Sequence, residues 1–143
     1  MTEEEKKVGI VAQSSGNHAQ ALSLASSILG VKANLLMPND APELKVQATK
    51  EYGGHIFRYD RWTTDIHKME AKFIEDNPGV RLVPSSNHKH IIAGQATVSK
   101  ELFEEVGDLD YLFVCLGGGG LLAGASLAKS QLCPSCKLVG VEP

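Results

Sequence analysis

Between Tyr111 and Ala128 the chain reads YLFVCLGGGGLLAGASLA, eighteen residues without a charge. A run of this length and polarity fits either a membrane-spanning helix or a strand, a turn and a buried helix. The four consecutive glycines, Gly117 to Gly120, decide between them. Each glycine inside a helix costs about 1 kcal/mol relative to alanine, so four in a row at its centre make a poor spanning helix. Tyr111–Leu116 therefore reads as a strand, Gly117–Gly120 as a turn, and Leu121–Ser130 as a helix.

The same alternation extends in both directions. Leu138–Val141 is the next strand, and Ile91–Val106 upstream is a long helix. Further upstream, strands are predicted at Val8–Ala12, Ala33–Met37, His55–Tyr59 and Val80–Val83. Helices are predicted between them at Asn17–Leu29, Glu43–Tyr52 and Asp65–Glu75. Gly30, Gly53-Gly54 and Asn77-Pro78-Gly79 act as stops. Strands alternating with helices make parallel βαβ units, so the fold class is α/β. The strands are apolar on both sides, as buried parallel strands are. The polar loop at Ser85–His90 divides two lobes. Residues 1–8 read as a remnant of a large lobe, 9–86 as a small mobile lobe, and 87–143 as the start of the second half of the large lobe. The final strand has no covering helix after it, which reads as part of a larger fold or a surface completed by a partner.

Composition narrows the function classes. Of 143 residues, 43% are hydrophobic and 22% charged, a soluble globular balance rather than a disordered one. A net charge of −3 argues against nucleic acid or an anionic membrane as partner. Three cysteines, an odd number, suit a reducing cytosol, and Met1–Lys7 has no apolar segment of a signal peptide. A cytoplasmic location is expected.

Two strand-to-helix turns can bind anions. Ser14-Ser15-Gly16-Asn17-His18 opens the helix at Asn17, where unpaired N–H groups and the helix dipole favour a carboxylate or phosphate. The same residues also suit a plain cap, with Ser15 or Asn17 closing the first turn. At Gly117–Gly120 every side chain is absent, so backbone N–H groups can wrap a phosphate. A Walker loop fails here, because Leu121 and Leu122 follow Gly120 instead of Lys and Ser or Thr. Gly118-x-Gly120-x-x-Ala123, with Glu142 about twenty residues on, satisfies a dinucleotide fingerprint. That alternative stays open on these residues, as does a non-catalytic fragment or binding module.

Taken together, Ser-Ser-Gly-Asn-His-Ala-Gln and the later Gly-Gly-Gly-Gly-Leu resemble the fold-type II pyridoxal-phosphate enzymes, in the threonine/serine dehydratase and serine racemase branch. Met37-Pro38, Ala41-Pro42 with Lys45, Tyr52-Gly53-Gly54, Ile92-Ala93-Gly94-Gln95 and Val139–Pro143 extend the resemblance over nearly the whole chain. It implies pyridoxal 5′-phosphate as cofactor, with Gly117, Gly118, Gly119, Gly120 and the Leu121 amide on its phosphate and Asn17 on its ring hydroxyl. Ser14, Ser15, Gly16 and His18 would take the carboxylate of serine or threonine. Ser15 would also be the acid/base on the face opposite the catalytic lysine. Glu142 would ligate Mg²⁺ or another divalent cation, and the full-length form would be a homo-oligomer, a dimer. The two turns are then expected to face one cleft within about 10 Å, as a pocket of ordinary ligand size requires.

The chain departs from the family at several points. The family's Schiff-base lysine stands in a Ser-Phe-Lys context upstream of the first turn. Lys6-Lys7 has no such context, so the isolated chain is expected to be inactive. Ala96 stands where the family usually has Gly. Among smaller signals, Cys133-Pro-Ser-Cys136 reads as an ordinary loop, Cys115 as a buried small hydrophobe, and His88-Lys-His90 as solvated loop.

Overall fold

The computed structural model describes residues 1–142; Pro143, which closes the Val139–Pro143 match, lies outside the described residues. The chain divides into two compact units, Met1–Val83 and Pro84–Pro143.

The first unit begins with a helix that the hydrophobic pattern does not announce. α1 (Glu3–Val8) buries no residue and is held by its ends. Thr2 and Glu5 form a reciprocal capping box, and Arg81 pairs with the Glu5 carboxylate. β1 (Ile10–Gln13), β2 (Ala33–Pro38), β3 (His55–Tyr59) and β4 (Arg81–Leu82) form one parallel sheet in the order β3-β2-β1-β4. In register, Ile10 sits beside Ala33 and Gln13 beside Leu36. α2 (Asn17–Leu29), α3 (Glu43–Glu51) and α4 (Ile66–Asp76) make the crossovers. Side chains alternate along the central strands. Ile10, Ala12, Leu35 and Met37 pack with Ala19 of α2 and Val46 of α3, while Val11 and Leu36 pack with Ile66, Met69 and Phe73 of α4. Leu35, Leu36 and Met37 are fully buried, and each such burial contributes roughly 1.5–3 kcal/mol. Gly30 ends α2 in the left-handed conformation (φ 65°), with its N–H turned back to Ser26 and Ser27.

The second unit contains α5 (Lys89–Val106), β5 (Tyr111–Cys115), α6 (Gly120–Leu132) and β6 (Lys137–Val141). β5 and β6 pair in parallel, with Tyr111 beside Lys137 and Cys115 beside Val141. The two helices approach closely at Gly124, where a Cβ would lie 2.5 Å from the Ala96 backbone nitrogen. One buried cluster joins Phe103, Cys133 and Cys136.

Three expectations need correction. Strands buried on both faces occur only in the middle of the first sheet; β3, β5 and β6 are largely exposed. Cys115 is exposed rather than buried, because alternation puts it with Tyr111 and Phe113 on the uncovered face of β5, opposite buried Val114. His90 lies in α5 rather than in a loop, and His88 caps that helix by accepting the His90 N–H. The Cys133–Cys136 segment is a turn, with the Cys136 N–H donating to the Cys133 carbonyl. Both thiols are free and buried, and burial followed by the neighbouring Cys133 pushes the Cys136 thiol up. Among the described residues no helix is long and apolar enough to cross a membrane.

Candidate functional site

The first turn lies between β1 and α2 and is organised by Ser14. Its Oγ accepts N–H bonds from Gly16 and Ala19, each at 3.2 Å. Both acceptor positions are thereby occupied, and the hydroxyl proton is what Ser14 has left to offer. A group in that state is a donor, suited to an anion. The cap is therefore Ser14, acting across Gly16, rather than the Ser15 or Asn17 that sequence suggested.

Ser15 and Asn17 are exposed, and among the described residues their backbone N–H groups have no protein acceptor. His18 is half-buried in the same turn. No acidic residue stands in the first turn of α2 to offset its positive end. Gly16 is buried, and a Cβ built on it would lie 2.6 Å from Lys45 Cδ and 2.9 Å from Lys45 Nζ. Lys45 of α3 thus lays its ammonium along the turn, a position that glycine leaves open.

The second turn, between β5 and α6, is made of backbone alone. Leu116 N–H donates to Val141, and the next helical bond runs from Ala123 N–H to Gly119. Among the described residues, the N–H groups from Gly117 through Leu122 donate to no protein acceptor. Gly119 is the N-cap in the left-handed conformation (φ 82°), which a side chain would strain. Gly118 faces Ser86: a Cβ there would lie 2.8 Å from Ser86 Oγ. Ser86, Asn87, Ile92, Ala123 and Gly118 to Gly120 line a cavity of about 290 Å³. An open, side-chain-free run of donors at a helix start has the chemistry to bind a phosphate.

Each turn gathers its expected residues locally, Ser14 to His18 in one and Gly117 to Leu121 in the other. Glu142 stands apart, exposed after β6. Among the described residues no group of three or more His, Cys, Asp or Glu gathers as a metal site, at Glu142 or elsewhere. Sequence reading assigned no role to Ser86 or Lys45. Ser86 carries no motif of its own, whereas Lys45 follows the Ala41-Pro42 turn at a fixed offset that could have drawn attention.

The family model described as "Pyridoxal-phosphate dependent enzyme" matches residues 1–143. A serine racemase of Schizosaccharomyces pombe is 54% identical over 143 residues, which is all of this chain and 44% of that protein. An L-threo-3-hydroxyaspartate ammonia-lyase of Saccharomyces cerevisiae is 51% identical over the same span, again 44% of its length. The solved structure of maize serine racemase superposes with a TM-score of 0.86 at 38% identity, covering 100% of this chain and 43% of that one. The chain thus spans less than half the length of these relatives.

Proposed function

Because the chain belongs to the pyridoxal-phosphate dependent enzyme family, we propose that its two turns divide the binding work of an amino-acid racemase or ammonia-lyase. The Gly117–Leu121 turn holds the phosphate of pyridoxal 5′-phosphate. The Ser14–His18 turn holds the carboxylate of a hydroxy amino acid. The observation that carries this reading is the run of unpartnered N–H groups from Gly117 to Leu122 over a cavity kept open by glycine. The family match favours this phosphate ester over the dinucleotide that Gly118–Ala123 also permits.

When bound, the cofactor supplies an electron sink for the carbanion formed at the substrate Cα. The chain's own residues position and protonate. Ser14 donates a hydrogen bond from its hydroxyl to the substrate carboxylate, joined by the Ser15 and Asn17 backbone N–H groups and by His18. The Asn17 side chain orients the ring hydroxyl of the cofactor. Ser15 Oγ moves a proton at Cα, and because serine is a weak base this step requires neighbours that tune it. Both racemisation and ammonia loss begin with removal of that proton. The relatives include both activities by name, and a turn of this kind can serve either.

The chain has no Ser-Phe-Lys context. Borohydride reduction with pyridoxal phosphate, followed by peptide mapping, is therefore expected to label no single lysine stoichiometrically. Equilibrium binding of pyridoxal phosphate tests the assignment itself. The native chain should bind it and Gly118→Asp should not; equal affinity in the two proteins refutes the phosphate role of this turn.

A further inference from the structure

The two thiols of Cys133-Pro134-Ser135-Cys136 take no part in the binding work of the two anion turns. Their placement follows from the sequence. α6 ends at Cys133, whose N–H closes the helix on the Lys129 carbonyl. Pro134 cannot continue the helix and is favoured at the second position of a turn. The Cys136 N–H returns to the Cys133 carbonyl at 3.1 Å. A turn of this kind holds its first and fourth Cα atoms within about 7 Å. A disulfide spans Cα separations of about 4.4–6.8 Å, so the turn places the pair within bridging range. The Lys129 ammonium donates to the Pro134 carbonyl at 2.6 Å and clamps the turn from the side.

Both thiols are free and 1% exposed, and they share one cluster with Phe103. A single buried cysteine serves as a small hydrophobe and calls for nothing more. Here two meet in one turn, close enough that Cys133 follows burial among the causes that push the Cys136 thiol up. The Cys133 sulfur also accepts the Leu109 N–H at 3.5 Å, and its S–H faces the Leu109 carbonyl at 3.7 Å. Leu109 stands in the connection between α5 and β5, so this sulfur ties that connection to the end of α6. A catalytic C-x-x-C pair sits partly exposed at a helix start, where the thiolate is favoured. This pair is buried at a helix end, which suits holding a disulfide rather than passing one on.

We propose that Cys133 and Cys136 form a reversible disulfide site, oxidised by a hydroperoxide, and that closing it loosens the hold of α6 on Leu109. With the Cys136 thiol pushed up, Cys133 is the sulfur that reacts first. Its reaction with hydrogen peroxide gives a sulfenic acid and one water. The Cys136 sulfur then displaces the sulfenic hydroxyl as a second water, and the S–S bond forms. The pair loses two electrons and two protons, and the peroxide is reduced to two waters. The oxidised Cys133 sulfur carries no hydrogen for the Leu109 carbonyl, and it is drawn toward Cys136 and away from the Leu109 N–H.

The test uses the full chain carrying Cys115→Ser, which removes the exposed thiol. The protein is treated with hydrogen peroxide, unfolded, and labelled with N-ethylmaleimide. Untreated protein should take two labels and treated protein none, with an intact mass lower by about 2 Da as two hydrogens leave. Dithiothreitol should restore both labels. The Leu109 amide should exchange its hydrogen about tenfold faster in the oxidised protein, the scale of one modest hydrogen bond, and return to its former rate on reduction.

Two labels retained under peroxide that fully oxidises Cys115 in the native chain overturn the proposal. A rise in mass by added oxygen without an S–S bond also overturns it, since the thiols then oxidise separately. A disulfide joining two chains, seen as a doubled mass without reductant, does the same. An internal disulfide that leaves Leu109 exchange unchanged overturns the coupling to the α5–β5 connection.

Discussion

The two turns occupy the same position in a βα unit and are built in opposite ways. At Ser14–His18 the chain fills the turn with hydroxyls, an amide and an imidazole, closes the helix with Ser14, and lays Lys45 across the one glycine. At Gly117–Leu121 it removes every side chain short of Leu121, leaves the helix without a side-chain cap, and brings Ser86 against Gly118. A side-chain turn discriminates, because each group must be matched by its ligand. A backbone turn accepts any phosphate of the right size, because its donors are identical and fixed. The contrast suits a substrate subsite that must choose and a cofactor subsite that need only hold.

Changes at the two key glycines separate these designs. The largest effect is expected from Gly118→Asp. Its Cβ would meet Ser86 Oγ at 2.8 Å and Ser86 Cβ at 2.9 Å, and its carboxylate would repel the phosphate. Phosphate or pyridoxal-phosphate affinity should fall by roughly 100-fold or more, equivalent to about 3 kcal/mol, by equilibrium binding. Butyrate binding at the first turn should be untouched. Gly16→Ala is milder, since the obstructed atoms belong to the flexible end of Lys45. Its fold should lose less than about 1 kcal/mol, within the ordinary range for a point change, while butyrate affinity at the first turn falls by less than phosphate affinity falls in Gly118→Asp. Thermal denaturation and a butyrate titration check the two halves of that statement.

Ser14→Ala removes the acceptor for Gly16 and Ala19, a loss of about 1 kcal/mol and a fall of a few degrees in Tm. The bare turn has no counterpart to this variant, so of the two turns only the first is expected to show a measurable capping loss. The smallest effect concerns a third helix start. Asp65 caps α4, and the Lys68 N–H, opposed by desolvation and aided by the Lys68 charge, holds its carboxyl below the usual range. A depressed folded pKa gives stability that is present above the unfolded value, near pH 4, and lost as pH falls through the folded one. Asp65→Asn should keep the cap and flatten the acid side of a Tm-versus-pH curve.

Periodicity and turn residues locate most elements closely. α2 and β3 begin and end at the residues the pattern names, because an apolar stripe and Gly30 define one and flanking turns the other. The inward residues of α4, Ile66, Met69 and Phe73, are likewise readable from spacing. α1 escapes the same method because it buries nothing; its only signal is Thr2-x-x-Glu5, a capping box that an apolar scan passes over. Cys115 misleads because strand alternation tells which residues share a face, not whether that face is covered. Both anion turns are apparent from composition, yet Lys45 over Gly16 and Ser86 over Gly118 are contacts between distant segments. They arise from the path of the chain rather than from any local pattern.

The division of labour proposed for the two turns has each recognising a different anion by different means. The direct measurement is an amide-resolved NMR titration of the chain with inorganic phosphate and, separately, with butyrate. Phosphate should move the resonances of residues 117–122 at lower concentration than those of residues 15–18, and butyrate should do the reverse. If both anions move the same set of amides, or phosphate prefers the Ser14–His18 turn, the division of labour between them is wrong.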